Sequence, residues 1–271
     1  MNMNKLLYPI LSMPLALFSA CAYDDSYEEH VSTTTDVTEI ADRYYYRCDS
    51  LTVVCLPQEV RSIGDLAFFG SSITSLSIPS QVGYIGTNAF NFCTNLTTIQ
   101  IDESNSVFDS RNNCNAIIRS CDDKLVYGCV ATVIPSTVSS IADYAFCGCE
   151  GLAELVLPDN IEQIGTGAFS ECSGLTSVTL SAGMSHISTL AFADCPDLAE
   201  VTLPQGLTSV GDGGFLHCPR LQAVHVQSIT PPQCGYIAFF NTTATLYVPH
   251  GSRDAYAASY GWCDFKMIVE E

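Results

Sequence analysis

A short sequence repeat is the feature that most constrains how this chain can fold. Phenylalanine marks six copies of it: Phe68, Phe90, Phe146, Phe169, Phe192 and Phe215. The last four are spaced 23 apart in the numbering and the first two 22 apart, while the second and third are 56 apart. A constant period predicts a stack of equivalent units with one continuous core, and the long gap leaves room for an inserted segment.

Other residue types keep fixed positions relative to each phenylalanine. Proline comes eleven residues earlier in five copies, with Ser181 in its place in the sixth, and Ile or Val comes five residues earlier in all six. Alanine precedes the phenylalanine in five copies, and cysteine follows three residues later in five. Glycine often follows the Ile or Val, at Gly64, Gly86, Gly165 and Gly211, where we interpret it as a turn residue.

Each copy begins with alternating residues, such as Ser177-Val178-Thr179-Leu180, which predicts a half-buried strand that proline then ends. The order of strand, Pro, Ile-Gly, Ala-Phe and Cys over residues 51–221 resembles the BspA-like, or Treponema-type, leucine-rich repeats. The resemblance implies a β-rich leucine-rich-repeat solenoid of the α/β horseshoe class. This is a right-handed, curved stack of 23-residue coils with a parallel concave sheet and short helical or 3-10 segments on the convex side.

The first twenty residues predict an export signal, because Lys5 precedes an apolar stretch that contains two prolines and ends in small residues. Ser19 and Ala20 before Cys21 resemble a lipobox, which implies acylation of Cys21 and an outer-membrane lipoprotein. Asp24 to Glu29 resembles an acidic surface-export tag. The alternatives are a simple secretory signal followed by a solvated tether, or a helical anchor.

Residues 21–50 then form a tether and an N-terminal cap, and residues 222–271 a C-terminal cap. The Tyr44-Tyr45-Tyr46 run is interpreted as capping core, with stacking on carbohydrate as the alternative. Within the repeats we expect an insert at about 102–130. Its apolar segments 116–119 and 124–127 flank Asp122-Asp123 and predict a protruding hairpin.

Fourteen cysteines raise the question of disulfides and metals. Five of them recur with the repeat and are best explained as a buried row of thiols. Cys114 and Cys129 flank the predicted hairpin, so a disulfide between them is a hypothesis. Paired C-x2-4-C motifs are absent from the sequence, so no metal site is predicted from the cysteines.

Charge and motifs argue against several classes of function. With 29 acidic and 10 basic residues the formal charge is −19, which disfavours nucleic acid as a partner. The five histidines are scattered, and the sequence lacks a G-x-S-x-G, an H-E-x-x-H or a phosphate-binding glycine loop, so we predict no catalytic residues, no cofactor and no enzyme. Calcium remains an alternative reading of the oxygen-rich insert, whose candidate ligands are Asp102, Glu103, Asn105, Asp109, Asn112 and Asn113.

The outward positions of the repeat strands define a candidate binding face. They are Ser75, Ser77, Thr98, Gln100, Glu154, Val156, Ser177, Thr179, Glu200, Thr202, Ala223 and His225. A broad face of short side chains suits an extended partner better than a small molecule, although a merely solvated sheet would look the same. The resemblance implies a monomeric adhesion module for a host matrix protein, a cell-surface protein or a glycan. The alternatives are a scaffold of an outer-membrane nutrient-capture complex and a polymer-acting hydrolase.

Overall fold

The fold is a stack of coils in which each regular coil contributes one longer and one two-residue strand. The computed structural model describes residues 37–240 and 242–271. We call the face made by the longer strands the wide strip; it corresponds to the predicted concave sheet. Its strands are β2 (Val53–Cys55), β4 (Ser75–Ile78), β6 (Thr98–Ile101), β11 (Glu154–Val156), β13 (Ser177–Thr179), β15 (Glu200–Leu203), β17 (Ala223–Val226), β19 (Thr245–Val248) and β20 (Met267–Glu270). They pair in parallel, in the orders β2-β4-β6 and β11-β13-β15-β17-β19-β20.

A second face carries the two-residue strands, which end at the repeat's Ile or Val position; we call it the narrow strip. Its strands are β1 (Glu39–Ile40), β3 (Ser62–Ile63), β5 (Tyr84–Ile85), β10 (Ser140–Ile141), β12 (Gln163–Ile164), β14 (His186–Ile187), β16 (Ser209–Val210) and β18 (Gln233–Cys234). They also pair in parallel, but in separate groups: β1-β3-β5, β10-β12 and β14-β16-β18.

The predicted hairpin forms, but it does not protrude. The insert contains β7 (Phe108–Asp109), β8 (Ala116–Arg119) and β9 (Lys124–Gly128), with a 3-10 turn at Arg111–Asn113. Strand β9 pairs in parallel with β10 and so takes the place of a narrow-strip strand. The hairpin therefore packs into the stack, because the apolar segments that predicted it supply core: Ala116, Ile117, Ile118 and Leu125 are fully buried.

The segments that return each coil past the Ala-Phe positions are turns, not the short helical segments that were expected. Two positions in each of the six repeat copies explain this, since they have positive φ, as at Leu190 (φ 56) and Asp194 (φ 55). A right-handed helix requires consecutive residues at negative φ, so these positions interrupt it. Within the described ranges, the single α-helix is α1 (Arg253–Ala258), in the C-terminal cap.

The periodic phenylalanines form a row of stacked rings inside the coils. Ring centroids of consecutive members lie between 4.9 and 5.4 Å apart from Tyr45 to Tyr127, and again from Phe146 to Phe239. Tyr127 continues the row on Phe90, and its hydroxyl donates a hydrogen bond to the Phe90 carbonyl. Each stacked pair contributes about 0.5–1.5 kcal/mol beyond its buried area, so the row ties each coil to the next.

The periodic cysteines are buried beside this row, as predicted. The thiols of Cys172, Cys195 and Cys218 each donate to the carbonyl of the phenylalanine 26 residues earlier, at 3.2 Å. Burial raises the pKa of Cys93 to about 11 and that of Cys218 to about 12. The thiols are therefore neutral hydrogen-bond donors at physiological pH, which makes them part of the core.

The stack extends beyond the repeats that the sequence identified. At the N-terminal end Ile40 and Tyr45 occupy the Ile and Phe positions, and Tyr45 is buried against Phe68, as expected for a capping tyrosine. At the C-terminal end Phe239 stacks on Phe215, at 5.1 Å. Trp262 and Phe265 then cover Phe239 and end the row.

Candidate functional site

The candidate binding face is the outer surface of the wide strip. All twelve predicted residues lie on its strands, at positions that alternate with buried core residues. In β11, for example, Leu155 is buried while Glu154 and Val156 are exposed. The strand alternation therefore places these side chains outward as the sequence predicted.

Strand register aligns the outward residues into two rows. One row runs through Glu154, Ser177, Glu200 and Ala223 on β11 to β17, and the second through Val156, Thr179, Thr202 and His225. The remaining four residues form a smaller panel, in which Ser75 pairs with Thr98 and Ser77 with Gln100. Parallel strands lie about 4.8 Å apart, so the six strands from β11 to β20 present a face about 24 Å long.

The insert separates the two panels. Next to β6, the Asn115 side chain accepts a hydrogen bond from the Ile99 amide at 3.4 Å, and Ser110 donates to the Ile99 carbonyl at 3.3 Å. These side chains occupy the edge of β6 where the next strand of a regular array would pair. The face is thus a three-strand panel followed by a six-strand panel.

Sequence reasoning missed part of this face at both ends. The register adds residues from β2 before the first panel and from β19 and β20 after the last. They are Val53, Cys55, Thr245, Tyr247, Met267 and Val269. The alternation Thr245-Leu246-Tyr247 could have identified β19, whereas β20 lies outside the repeat and has no periodic signal.

His225 is held in a fixed position on the six-strand panel. Its Nδ1 lies 2.9 Å from Glu271 Oε1 and its Nε2 lies 3.6 Å from Glu200 Oε1. The imidazole stacks on Tyr247, with centroids 4.5 Å apart and an interplanar angle of 6°. Four side chains from separate parts of the chain thus form one polar and aromatic cluster at the C-terminal end of the face.

The electrostatics of the six-strand panel are acidic. Glu154, Glu200 and Glu271 contribute carboxylates, and the outward positions of β11 to β20 include no Lys or Arg. At the margin of the panel, the Glu270 carboxylate accepts hydrogen bonds from the Arg253 and Gly251 amides at 3.2 and 3.0 Å. These hydrogen bonds lower the pKa of Glu270, so its charge persists at mildly acidic pH.

Two of the oxygen-rich residues of the insert, Asn105 and Asp109, have structural partners. Asn105 is buried and donates to the carbonyls of Pro79 and Val82 at 3.0 and 2.9 Å. Partial burial raises the pKa of Asp109, but hydrogen bonds from Arg111 and Ser120 outweigh it and the net shift is downward. Among the described residues there is no group of three or more His, Cys, Asp or Glu side chains placed to hold a metal ion.

Cys114 and Cys129 lie at the two ends of the β8-β9 hairpin, as expected, and both are buried. They are present as free thiols in this structure. The Cys129 thiol donates to the Asn115 carbonyl at 3.4 Å, and burial raises its pKa. The bridge between them therefore stays a prediction for the exported protein, to be tested by mass measurement with and without reductant.

The predicted lipid-anchored residue, Cys21, lies outside the described residues, as do the export signal and the acidic run. In the part of the chain that the structure covers, no helix has the length and apolar character to cross a bilayer. Of the three consecutive tyrosines, Tyr45 is buried, Tyr46 stacks on Phe69 and Tyr44 is exposed.

Solved structures that resemble this chain include bacterial repeat proteins. A leucine rich cell surface protein from Faecalibacterium prausnitzii is 27% identical with a TM-score of 0.62; the alignment covers 88% of this chain but 58% of that one. A leucine-rich repeat protein from Eubacterium ventriosum (20% identity, TM-score 0.53, covering 70% and 59%) and the pneumococcal vaccine antigen PcpA (17%, 0.54, 86% and 77%) share the fold. No curated protein matches the chain.

The sequence profile of the BspA type leucine rich repeat region matches six copies, over residues 18–122 and 127–245. These ranges include every wide-strip strand from β2 to β17 and the first residue of β19, and they include the coil of Phe239 that lies beyond the six copies recognised from phenylalanine spacing. The chain therefore belongs to the BspA-type leucine-rich-repeat family.

Proposed function

We propose that this chain is a non-enzymatic binding module of the bacterial cell surface, which recognises an extended protein or glycan across the wide strip. The observation that carries the proposal is the register of β11 to β20, which aligns outward side chains of six consecutive strands into two rows. An extended polypeptide rises about 3.3 Å per residue, so about seven residues of a partner would span the panel.

The charge of the panel favours a neutral or basic partner. Three glutamates without a neighbouring outward Lys or Arg attract cationic side chains and repel phosphate or sulfate groups. The exposed apolar side chains of Val156 and Met267, both more than half accessible, would gain from being covered. A host matrix or cell-surface protein with a basic extended segment fits this combination, and so does a neutral glycan.

Surface display follows in this proposal from lipidation of Cys21 and export to the outer face of the outer membrane. The cell-surface relative from Faecalibacterium supports display at a cell surface. Metabolic labelling with a palmitate analogue tests the anchor: the wild-type protein is expected to carry the label and Cys21→Ser to lose it. A labelled Cys21→Ser protein would show that Cys21 is not the acylated residue.

The binding test uses the purified mature protein on arrays of matrix proteins, basic peptides and neutral glycans. Changing Glu154, Thr179 and Glu200 together, to Gln, Ala and Gln, is expected to weaken binding on the order of tenfold or more. The matched control changes Glu59 and Glu150, which are exposed away from the panel, to Gln. An equal loss of binding affinity in both variants would show that net charge alone causes the effect and would contradict a site on the wide strip.

The competing scaffold function makes a different prediction. Co-purification of the wild-type protein with an outer-membrane complex, together with the absence of binding on every array, would replace the proposal with a scaffold role. Sedimentation of the mature protein as a monomer is expected under the proposed function.

A further inference from the structure

Strand pairing in the narrow strip is interrupted between β12 and β14, although the coil there is as long as its neighbours. On one side of it, the Glu162 amide donates to the Ser139 carbonyl and the Gly165 amide to the Ile141 carbonyl, both at 2.9 Å. The coil of Ser209 repeats this pair with the coil of His186 before it, at 2.8 Å. Between β12 and β14 the described residues form neither bond, and the two strands belong to different sheets.

The break coincides with a departure from the repeat. Gly165 and Gly211 follow the Ile or Val position in the neighbouring coils, and a Cβ on Gly165 would lie 2.3 Å from the Asp143 nitrogen. Only glycine allows so close an approach. Ser188 occupies this position in the intervening coil, and its hydroxyl, rather than its amide, donates to the Ile164 carbonyl at 2.6 Å. The side chain of Ser188 thus holds β14 away from β12.

The same coil lacks the repeat's proline. Ser181, in its place, donates to the Asp159 carbonyl at 3.0 Å and accepts from the Gly183 amide at 3.1 Å. Among the six repeat copies, Ala142 is the other departure at the glycine position, but there the preceding strand is β9 of the hairpin, and β9 and β10 remain paired. The opening is therefore specific to the coil that carries both serines.

The opened strip forms a groove of about 450 Å³, within the usual range for small-molecule sites. Ile141 and Ile164 are buried beneath it. The polar side chains around the opening include Asp159, Glu162, Gln163, Ser185 and His186, with Lys124 at the end formed by the hairpin, and Ser140 and Ser188 also line it. His186 Nδ1 lies 2.6 Å from Ser209 Oγ, which fixes the imidazole and leaves Nε2 for another partner.

These groups select by charge. Two carboxylates disfavour an anion, and the ammonium of Lys124 partly offsets their attraction for a cation. A neutral ligand with many hydroxyls can use both kinds of group, because carboxylates accept hydrogen bonds, the ammonium donates them, and Gln163 does both. We propose that this groove is a second binding site, separate from the wide strip, for a neutral saccharide of one or two rings.

The test is titration of the full mature protein with glucose, galactose, N-acetylglucosamine, maltose and lactose, followed by chemical-shift changes of the His186 imidazole and Gln163 amide. At least one of these sugars is expected to shift both signals. Glucuronate, which adds a negative charge, is expected to bind more weakly than glucose, and glucosamine, which adds a positive charge, is expected to bind no more strongly than glucose. Stronger binding of either charged sugar, or no shift with any neutral sugar, would overturn the proposal.

Ser188→Gly is the decisive variant, because the hydroxyl that it removes from the groove lining already donates to the Ile164 carbonyl and is not proposed to contact the sugar. It is expected to close the strip, to slow hydrogen exchange of the Ser185 amide, and to reduce sugar affinity on the order of tenfold. Glu162→Gln should weaken binding without closing the strip. Two controls, His217→Ala on another face and Glu200→Gln on the wide strip, should bind as the wild type does. Unchanged affinity in a Ser188→Gly protein with a closed strip would contradict the assignment.

Discussion

The wide strip and the narrow strip pass through the same coils, yet they respond differently to the same departure from the repeat. From β11 to β20 the wide strip pairs without interruption, whereas the narrow strip stops pairing between β12 and β14. The aromatic row also continues at that point, with Phe169 and Phe192 stacked at 5.4 Å. Coil stacking is therefore held by the wide strip and the aromatic row, which leaves the narrow strip free to open locally.

Raising the pH is expected to have the largest effect, because it should unfold both strips together. The unfolded thiol pKa is 9.0, whereas burial raises that of Cys149 and Cys218 to about 12. Because the fold favours the neutral thiol, its contribution is complete below pH 9 and is lost as the pH rises towards 12. The urea concentration at the midpoint of unfolding is expected to fall steeply across this pH range.

Cysteine variants separate this effect from the titration of other groups. Cys218→Ala should reduce the dependence of the midpoint on pH, whereas Cys121→Ser, at an exposed position, should leave it unchanged. A wild-type midpoint that stayed constant from pH 8 to pH 11 would contradict the role of the buried thiols.

Phe192→Ala comes next, because it interrupts the row that supports both strips. The ring is fully buried between Phe169 and Phe215, with centroids 5.4 and 5.3 Å away. The free energy of unfolding is expected to fall by about 3–5 kcal/mol. Hydrogen exchange should accelerate in both strips of the affected coils, and Tyr236→Ala, at an exposed ring, should have little effect. Exchange that changed in one strip only would show that the strips do not share this support.

Gly165→Ala should produce a second break in the narrow strip alone. The added Cβ would lie 2.3 Å from the Asp143 nitrogen, so β12 must move away from β10, at a cost of about 1–3 kcal/mol. Exchange of the Glu162 amide should accelerate while the Val178 amide of the wide strip stays protected. The control is Gly206→Ala, where the nearest atom would be 3.7 Å from the new Cβ. Equal destabilisation by both would remove close approach as the explanation.

Periodicity predicted the shared architecture well, because the same burial is imposed on the same position of each coil. The aromatic row, the buried thiols and the twelve outward residues all follow from spacing alone. Sequence spacing does not predict a contact between two residues that have different structural roles, such as one in a repeat and one in a cap. His225 and Glu271 are 46 residues apart, but Glu271 lies beyond the repeats, where the repeat pattern no longer assigns a position to a residue.

The insert and the break show a second limit. Two apolar-rich segments located β8 and β9, but the pairing of β9 with β10 depends on how a segment of irregular length returns to register. Glycine after the Ile position was interpreted as a turn residue, whereas its main role at Gly165 is close approach to the preceding coil. That role depends on backbone atoms of Asp143, in a different copy of the repeat, which is why the consequence of Ser188 was not recognised from sequence.

The smallest expected effect is also the most specific: Ser188→Gly should join the two groups of narrow-strip strands. Two backbone hydrogen bonds, each contributing about 0.5–1.5 kcal/mol, would replace the bond from the Ser188 hydroxyl. Glycine loses about 0.5–1 kcal/mol more backbone entropy on folding, so the net gain should be on the order of 0.5 kcal/mol. Denaturation measures this gain, and slower hydrogen exchange at the Ser185 amide with no change at the Val178 amide would locate it.

The reciprocal variant Gly211→Ser should open the next coil, because its Cβ would lie 2.7 Å from the Thr189 nitrogen. If neither change moved exchange in the narrow strip, the residue after the Ile or Val position would not control closure, and the break would need a cause elsewhere in the coil.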